Sequence, residues 1–416
     1  ERAADLCREM AYQYLWLGRF DDVLAANQRG LDILGDRRVA SRAYHLAGMG
    51  ALLGVGGFFE AAREHIAQGE EIALEIKDDR ALGWVNWTRC VVAYSSTLLE
   101  ETIEAGETAT AQLRRGGDTW TVCDSLSWTA LALVLGGSTD KARSVCTEAL
   151  ELSRRLGHRG GEILAHRAWL ATEAIRDLDL GRWEQGVRRD IELCESINSP
   201  WSSQGYAWLG AVVQMQGRTD EALGYLETAL EIEPVSAFSG LSRAYTVLNH
   251  AYAGNREAFV SAADAVRPSR PGGPEAQPWG SKILTFNIAQ GSAFLELEQV
   301  AAEIHEHVIA AGNVIPLGFF DGALARRIAG MTATLLRRWD EAEAHFMAAR
   351  QQAIDYKTSV EPHQVEHWYG KMLLDRGRPD DRERATEMVG SALEWYRAKS
   401  MPLHAAMAEE LLKKTV

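Results

Sequence analysis

The stretch from Gly217 to Pro234 reads GRTDEALGYLETALEIEP and decides the fold. A turn at its first residues leads into an amphipathic helix with Ala222, Leu226 and Ala229 at three- and four-residue spacings, and the final proline ends that helix. Residues 203–216, just before it, carry apolar side chains at the same helical spacing. The stretch therefore predicts a hairpin of two antiparallel helices.

The hairpin pattern recurs along the chain. Gly217 has a small residue seven positions before it, Gly210, and another five positions after it, Ala222. Turn markers that repeat this spacing, strictly or loosely, are Gly18, Gly57, Thr97, Gly137, Gly181, Gly217, Ala253, Leu295, Arg337 and Gly377. The period is near 40 residues, which is typical of a stacked array of helix pairs. Small residues suit the point where two helices cross closely, and one hairpin cannot bury its apolar face without neighbours.

The chain is predicted to be all-α, a superhelical solenoid of about ten antiparallel hairpins without strands. A last helix from Met401 to Lys414 would cap the final hairpin. Four of the ten prolines lie between residues 267 and 278, so helix cannot continue there. We expect one segment of about seven hairpins at 1–266, a Pro/Gly-rich loop or joint at 267–279, and about three hairpins plus the capping helix at 280–416. Bending or partner contact is expected at the joint.

Composition excludes several function classes. The net charge of −14 argues against nucleic acid or an anionic membrane as the main partner, although a local basic patch stays open. The five cysteines lie in helical apolar patterns and form no C-x-x-C pair, which favours a reduced, cytoplasmic protein. No apolar run reaches 18 residues. The chain starts inside a helix at Glu1, without Met, and we expect it to be part of a longer protein.

The hairpin spacing resembles the tetratricopeptide repeat. That motif has small residues, a turn glycine and a late proline at fixed positions, which correspond to Gly210, Gly217, Ala222, Leu226, Ala229 and Pro234. The usual repeat is 34 residues long, so the helices or loops here would be extended. The resemblance implies a right-handed superhelix in which the first helix of each hairpin lines a concave groove.

A narrower resemblance lies near the C-terminus. Residues 335–346 (LLRRWDEAEAHF), 372–377 (MLLDRG) with 381–385, and 400–403 (SMPL) resemble the MalT-like C-terminal helical region of large bacterial regulators. In those proteins an adenylate/guanylate cyclase domain or a LuxR-type DNA-binding domain is joined to a STAND-class ATPase and a tetratricopeptide-like tail. The resemblance implies that catalytic and nucleotide-binding sites lie in other domains.

Candidate binding residues follow from the concave position of the first helices. The repeat spacing places there Tyr44, Trp84, Trp87, Tyr94, Asp124, Arg243, His250, Arg327, His367 and Lys371. The N-terminal half of this set is aromatic and the C-terminal half is basic, which would suit an extended peptide or an acidic segment. The alternative is that the tryptophans belong to the core and the basic side chains are solvated.

One string resembles a metal motif. Residues 363–367 read HQVEH and match the H-x-x-E-H of inverted zinc peptidases, with two histidines on one helical face. Pro362 makes His363 a first-turn residue, however, and only 49 residues remain for a third ligand. Phosphate-binding and nucleophile motifs are absent from the sequence. We therefore predict no metal, no cofactor and no catalysis in this region.

Three functions stay open at this point. The first is a non-catalytic scaffold or sensor region of a bacterial signalling protein that binds protein partners, its own other domains or a second copy. The second is a small-molecule sensor that holds its ligand in the aromatic N-terminal groove and controls an attached ATPase or cyclase. The third is an α/α-toroid enzyme, which would need inward carboxylates on successive hairpins, whereas the groove positions include only Asp124.

Overall fold

The computed structural model describes residues 1–265, 278–310 and 323–414. These ranges form α-helices joined by short turns and contain no strand. The helices are α1 (Arg2–Trp16), α2 (Phe20–Leu34), α3 (Ala40–Val55), α4 (Phe59–Ile76), α5 (Asp79–Ser95), α6 (Leu99–Arg115), α7 (Thr119–Leu135), α8 (Thr139–Leu156), α9 (Arg159–Arg176), α10 (Leu180–Glu195), α11 (Ser202–Met215), α12 (Thr219–Ile232), α13 (Leu241–Tyr252), α14 (Arg256–Ala265), α15 (Trp279–Phe294), α16 (Glu298–Ala310), α17 (Ala325–Leu335), α18 (Trp339–Asp355), α19 (Glu361–Arg376), α20 (Asp381–Ala398) and α21 (Pro402–Lys413).

In the part of the chain that the structure describes, successive helices pair into ten hairpins, from α1 with α2 to α19 with α20, and each hairpin packs on the next. The helix that follows, α21, packs on α20 as a cap. The predicted all-α solenoid of about ten hairpins with a capping helix is therefore confirmed. No described helix is both long enough and apolar enough to cross a bilayer.

Small residues lie where the helices of a hairpin cross, as the spacing predicts. A Cβ atom on Gly210 would lie 2.8 Å from Cγ of Leu226 and 3.1 Å from the carbonyl oxygen of Ala222. A Cβ on Gly50 would meet Cγ1 of Ile66 at 2.8 Å. A larger residue at either glycine would push the two helices apart, so the small residues set the spacing within a hairpin.

Most of the turn markers are also correct. Gly217 has φ +81°, a left-handed conformation that glycine adopts without strain. The other hairpin turns with a left-handed residue have it at Gly18, Gly57, Thr97, Gly137, Gly254, Glu296, Arg337 and Gly377. The Ala253 and Leu295 markers are thus one residue early. Gly181 is wrong as a marker, because it lies inside α10, whose N-terminus is capped by the side chain of Asp179.

The eighth hairpin begins earlier than the sequence indicates. Its first helix starts at Trp279 rather than Ile283, directly after Pro278, and the indole of Trp279 is fully buried. Residues 267–277 lie outside the described ranges, so the joint is not described and the division into two solenoid segments stays a prediction. One hydrophobic cluster nevertheless contains side chains from both sides of it, such as Tyr245 and Phe286.

Successive turns of the superhelix touch each other. Ser199, in the turn before α11, donates a 2.6 Å hydrogen bond from its hydroxyl to the carbonyl oxygen of Trp16, 183 residues earlier. The backbone amide of Ala237, between α12 and α13, donates to the carbonyl oxygen of Val55 at 2.6 Å. Each contact joins a hairpin to a region about five hairpins further along the chain.

The same offset continues toward the C-terminus. The amide of Ser359 donates to the carbonyl oxygen of Ile175 at 2.8 Å, which joins the turn before α19 to the end of α9. The α21 helix also reaches α11, where Cγ of Pro402 lies against Gly217. Because these contacts close one side of the spiral, the inner faces of the first helices border a partly enclosed space.

Candidate ligand-binding cavity

A cavity lies on the inner face of the superhelix. Its walls come from the first helix of each of the first eight hairpins, α1 to α15 in odd numbers. The space between protein atoms is about 980 Å³, with the open solvent at its mouth included.

The cavity lining is mainly aromatic and aliphatic. Eight of its nineteen residues are aromatic, whereas aromatic residues make up 8% of the chain. These eight are Tyr12, Trp16, Trp87, Tyr94, Trp128, Trp201, Trp208 and Phe238. Tyr94 connects several of them, with its ring 4.9 Å from that of Trp128 and 6.3 Å from that of Phe238. Such a surface favours an apolar or π-binding ligand.

Closure of the superhelix builds one edge of this lining. The indole Nε1 of Trp201 donates to the carbonyl oxygen of Leu15 at 3.2 Å, and both residues line the cavity. Next to them, Pro200 packs so closely on Gly18 that a Cβ there would lie 2.5 Å from its ring. The first hairpin and the start of α11 therefore form a continuous wall although they are far apart in sequence.

Asp124 on α7 brings a carboxylate to the apolar lining. Its side chain is 1% exposed, and its Oδ2 accepts a 2.6 Å hydrogen bond from the hydroxyl of Tyr12. The Tyr12 hydroxyl also lies 3.1 Å from Nε2 of His158. Burial and the nearby carboxylate raise the pKa of Tyr12 well above its usual value, so Tyr12 remains a neutral donor.

Arg167 on α9 is the second charged side chain among the described lining residues. It is held by Asp190 on α10 in a bidentate pair, with Nε–Oδ1 at 2.8 Å and Nη2–Oδ2 at 2.9 Å. Its Nη1 also donates to Oε1 of Gln204, and its Nη2 donates to the carbonyl oxygen of Trp201. Burial lowers the pKa of Arg167, but the ion pair with Asp190 more than offsets this and raises it. The charge of Arg167 is therefore neutralised by Asp190 within the cavity wall.

A smaller space of about 360 Å³ adjoins the cavity on the side of α3 and α5. Tyr44 and Trp84 line it, and burial raises the pKa of Tyr44 to about 12. The indole of Trp84 donates to Oδ2 of Asp118 at 2.9 Å. Trp87 lines both spaces, and its Nε1 is buried without a hydrogen-bond acceptor among the described residues. All five N-terminal candidate residues thus lie at one of the two spaces.

The C-terminal candidates are placed differently, and none of them lines either space. Arg327 is fully buried, and its Nε lies 3.0 and 3.1 Å from the carboxylate oxygens of Glu361. The Nζ of Lys371 donates a 2.6 Å hydrogen bond to Oδ2 of Asp375. Burial lowers the pKa of Lys371, but neighbouring carboxylates, first among them that of Asp375, more than offset this, so the pKa stays above its usual value. Both of these cations are therefore paired with carboxylates within the protein.

The remaining basic candidates also lie apart from the cavity. Arg243 is exposed, and His250 is half-buried with a pKa lowered by burial. His367 is buried and stacked on Trp368 at 5.0 Å between ring centres, and burial lowers its pKa to about 3. His363, the other histidine of the H-x-x-E-H string, stacks on Trp395. Within the described ranges no three His, Cys, Asp or Glu side chains come together as a metal site.

Several lining residues were missed by the sequence reasoning. Tyr12, Trp128 and Trp208 lie on first helices, each four residues from another lining residue, and helical spacing from the candidate Asp124 would have found Trp128. Arg167 also lies on a first helix. Phe238 lies in the turn before α13, where the repeat spacing gives no signal.

Comparisons with known proteins support the fold. No protein-family model matches the sequence, and no curated protein is similar to it. Among solved structures, the chain is similar to a Rap protein complexed with Competence and Sporulation Factor, with a TM-score of 0.55 and 12% identity over 93% of this chain and 100% of that chain. Yeast Tom70 matches with a TM-score of 0.43 and 12% identity, over 99% of this chain and 89% of that chain.

The Rap protein is a helical repeat protein of the tetratricopeptide-like class. At 12% identity the likeness to the Rap protein shows the fold alone. The resemblance to the tetratricopeptide repeat is therefore confirmed as a fold. The narrower resemblance to MalT-like bacterial regulators stays a prediction, and so does a binding role for the ten candidate residues.

Proposed function

We propose that this chain is a non-catalytic sensor region that binds a ligand inside its superhelix, in the aromatic cavity. One observation carries the proposal: helices up to five hairpins apart along the chain meet around that cavity, as they do at Trp16 and Trp201. Sites for small organic ligands have this character, with mostly apolar walls and a few polar groups at fixed positions.

Enclosure favours a compact ligand over a long partner segment. An extended peptide in an open groove would need polar side chains spaced along the groove to bind its backbone, whereas the charged and amide side chains of the described lining are confined to Asp124, Arg167 and Gln204. Two of these three are already engaged with each other, through the Arg167–Gln204 hydrogen bond. The second function left open by the sequence, a small-molecule sensor, therefore fits the geometry better than the first.

The second candidate is a protein-binding scaffold. In this case an apolar segment of a protein partner, of another domain of the same protein or of a second copy would enter the cavity. The similar Rap protein was solved as a complex with Competence and Sporulation Factor, which favours keeping this candidate. The toroid enzyme is not favoured, since Asp124 is the one carboxylate among the described lining residues and glycosidase-type chemistry needs two.

The signalling context is part of the proposal. The C-terminal segments that resemble MalT-like regulators support a cytoplasmic bacterial protein in which an attached STAND-class ATPase, with a cyclase or DNA-binding domain, would respond to the ligand. A test is to determine whether any sequence precedes Glu1 in the natural protein and, where one does, to measure ATP hydrolysis by the longer chain with and without ligand. An upstream sequence without a nucleotide-binding motif would contradict the context but not the binding site.

The binding site is tested with a matched pair of tryptophans. Trp128 and Trp169 are both partly buried, on the consecutive first helices α7 and α9, but only Trp128 lines the cavity. The neutral dye Nile red, titrated against the chain, should show saturable binding that Trp128→Leu weakens at least tenfold and Trp169→Leu leaves unchanged. Equal effects of the two substitutions, or no saturable binding, would overturn the proposal.

A further inference from the structure

Among the described residues of the cavity lining, Asp124 is the one charged side chain without an oppositely charged partner. Among the described residues no lysine or arginine forms an ion pair with it. Its Oδ1 lies 3.0 Å from Nε2 of His158 without the alignment of a hydrogen bond, and that oxygen is buried without a partner. A buried carboxylate costs free energy unless an opposite charge or a full set of donors compensates it.

His158 does not supply the missing charge. Its Nδ1 accepts a 3.1 Å hydrogen bond from the backbone amide of Gly161, so this nitrogen carries no proton. The proton therefore lies on Nε2, and the imidazole is neutral. It points toward the hydroxyl of Tyr12, which in turn donates to Asp124. The three side chains form one chain of donors that ends on the carboxylate and adds no positive charge to it.

Arg167 does not supply it either. Its guanidinium is bound in a bidentate pair by Asp190, which is fully buried. The charges of Arg167 and Asp190 cancel within the wall. Among the described lining residues, Asp124 is thus the acidic side chain that no cation neutralises.

Several aromatic residues line the cavity near this carboxylate. Tyr12 links the carboxylate to Trp87, since the ring centres of the two aromatic residues are 6.5 Å apart. Trp128 lies one helical turn after Asp124 on α7 and also lines the cavity. The faces of aromatic rings attract cations, most strongly when water is excluded, and cages of such rings recognise quaternary ammonium groups.

We propose that the cavity binds an organic cation, with an ammonium group against Asp124 and between the surrounding aromatic faces. This inference rests on the proposed ligand-binding function and adds the chemical class of the ligand. An anion would be repelled by Asp124, and a neutral apolar molecule would leave the carboxylate buried without compensation. A metal ion is not favoured, because the lining offers it one carboxylate and otherwise mainly carbon.

The test uses ligand pairs that differ in charge but hardly in shape. Choline is compared with 3,3-dimethylbutan-1-ol, and phenyltrimethylammonium with tert-butylbenzene, by isothermal titration against the full chain. We expect the cation of at least one pair to bind tenfold or more tightly than its neutral partner. Asp124→Asn keeps an acceptor for the Tyr12 hydroxyl but removes the charge, and it should abolish that preference.

The control is Asp36→Asn, because Asp36 is a fully exposed carboxylate outside the cavity, and this variant should keep the preference. Equal affinities within both pairs, or a preference that persists in Asp124→Asn, would overturn the cation proposal. If both cations fail to bind while Nile red still binds and Trp128→Leu still weakens its binding, the cation proposal is also overturned, but the ligand-binding function stands. Loss of Nile red binding as well would overturn both.

Discussion

The pair of Arg167 and Asp190 yields the sharpest prediction about the cavity wall. Asp190→Ala removes both acceptors of the bidentate pair and leaves the guanidinium of Arg167, which is 6% exposed, without its counter-charge. Loss of one member of a buried pair typically costs about 3–5 kcal/mol of unfolding free energy. We expect a loss in that range.

The complementary change separates the burial of charge from the loss of contacts. Arg167→Met alone leaves Asp190 as a buried unpaired carboxylate, so it should cost about as much as Asp190→Ala. The double variant buries no charge. It loses the hydrogen bonds from Arg167 to Gln204 and to the carbonyl oxygen of Trp201, worth about 1 kcal/mol each. The double variant should therefore be more stable than either single variant.

The assay is urea unfolding followed by circular dichroism, with midpoints and slopes compared across wild type, the two single variants and the double variant. Asp79→Ala is the control, because Asp79 pairs with Arg115 at an exposed site and its loss should leave the midpoint unchanged. A double variant as unstable as the sum of the single variants would refute the reasoning. It would mean that the contacts, and not the charges, hold this part of the wall.

Three further predictions concern stability. Gly280→Ala should lower the unfolding free energy by about 1–3 kcal/mol, because a Cβ there would lie 1.8 Å from the carbonyl oxygen of Ser239. Gly224 faces open space on α12, so Gly224→Ala should raise the unfolding free energy by about 0.5–1 kcal/mol. The urea midpoints of the two variants test both expectations. Burial lowers the pKa of Lys282 from 10.5 to about 8, so protonation costs the folded state about 3 kcal/mol below pH 8. Lys282→Met should therefore stabilise the protein at pH 7, and its advantage should disappear as pH rises from 8 to 10.5; a constant advantage would contradict this. Burial lowers the pKa of His404 from 6.5 to about 3, so the unfolded chain binds the proton first and stability is lost as pH falls from 6.5 toward 3. His404→Phe should lose less over that interval in acid unfolding measurements, and an unchanged profile would count against it.

The helices could be predicted because their signals are local. Apolar spacing, a small residue at the crossing and a left-handed turn residue all lie within one hairpin, as at Gly210 and Gly217. The prediction is wrong where two local signals compete. At the fifth hairpin the spacing indicates Gly181 as the turn, but the carboxylate of Asp179 caps α10 by accepting the amide of Arg182 at 3.0 Å. Helix capping by Asp outweighs the glycine signal there.

The candidate site could be predicted only in part. Repeat spacing places Trp87, Tyr94 and Asp124 on the concave face, and all three line the cavity. The charge balance was not predictable in the same way. Whether Arg167 or Arg327 is free or matched depends on an acidic residue in another helix, and the repeat spacing gives no information about such partners.

The cavity itself depends on contacts that no single repeat encodes. In an open solenoid each repeat contacts only its neighbours, and stability is close to a sum over adjacent pairs. Here the hydroxyl of Ser199 and the amide of Ala237 bond to carbonyl groups about five hairpins earlier, at Trp16 and Val55. With the same hairpins but a wider pitch, these edges would separate and the cavity would open into a groove. The enclosed volume, and with it the low-dielectric setting that makes the Asp124 carboxylate costly, is therefore a property of the superhelical pitch rather than of any one hairpin.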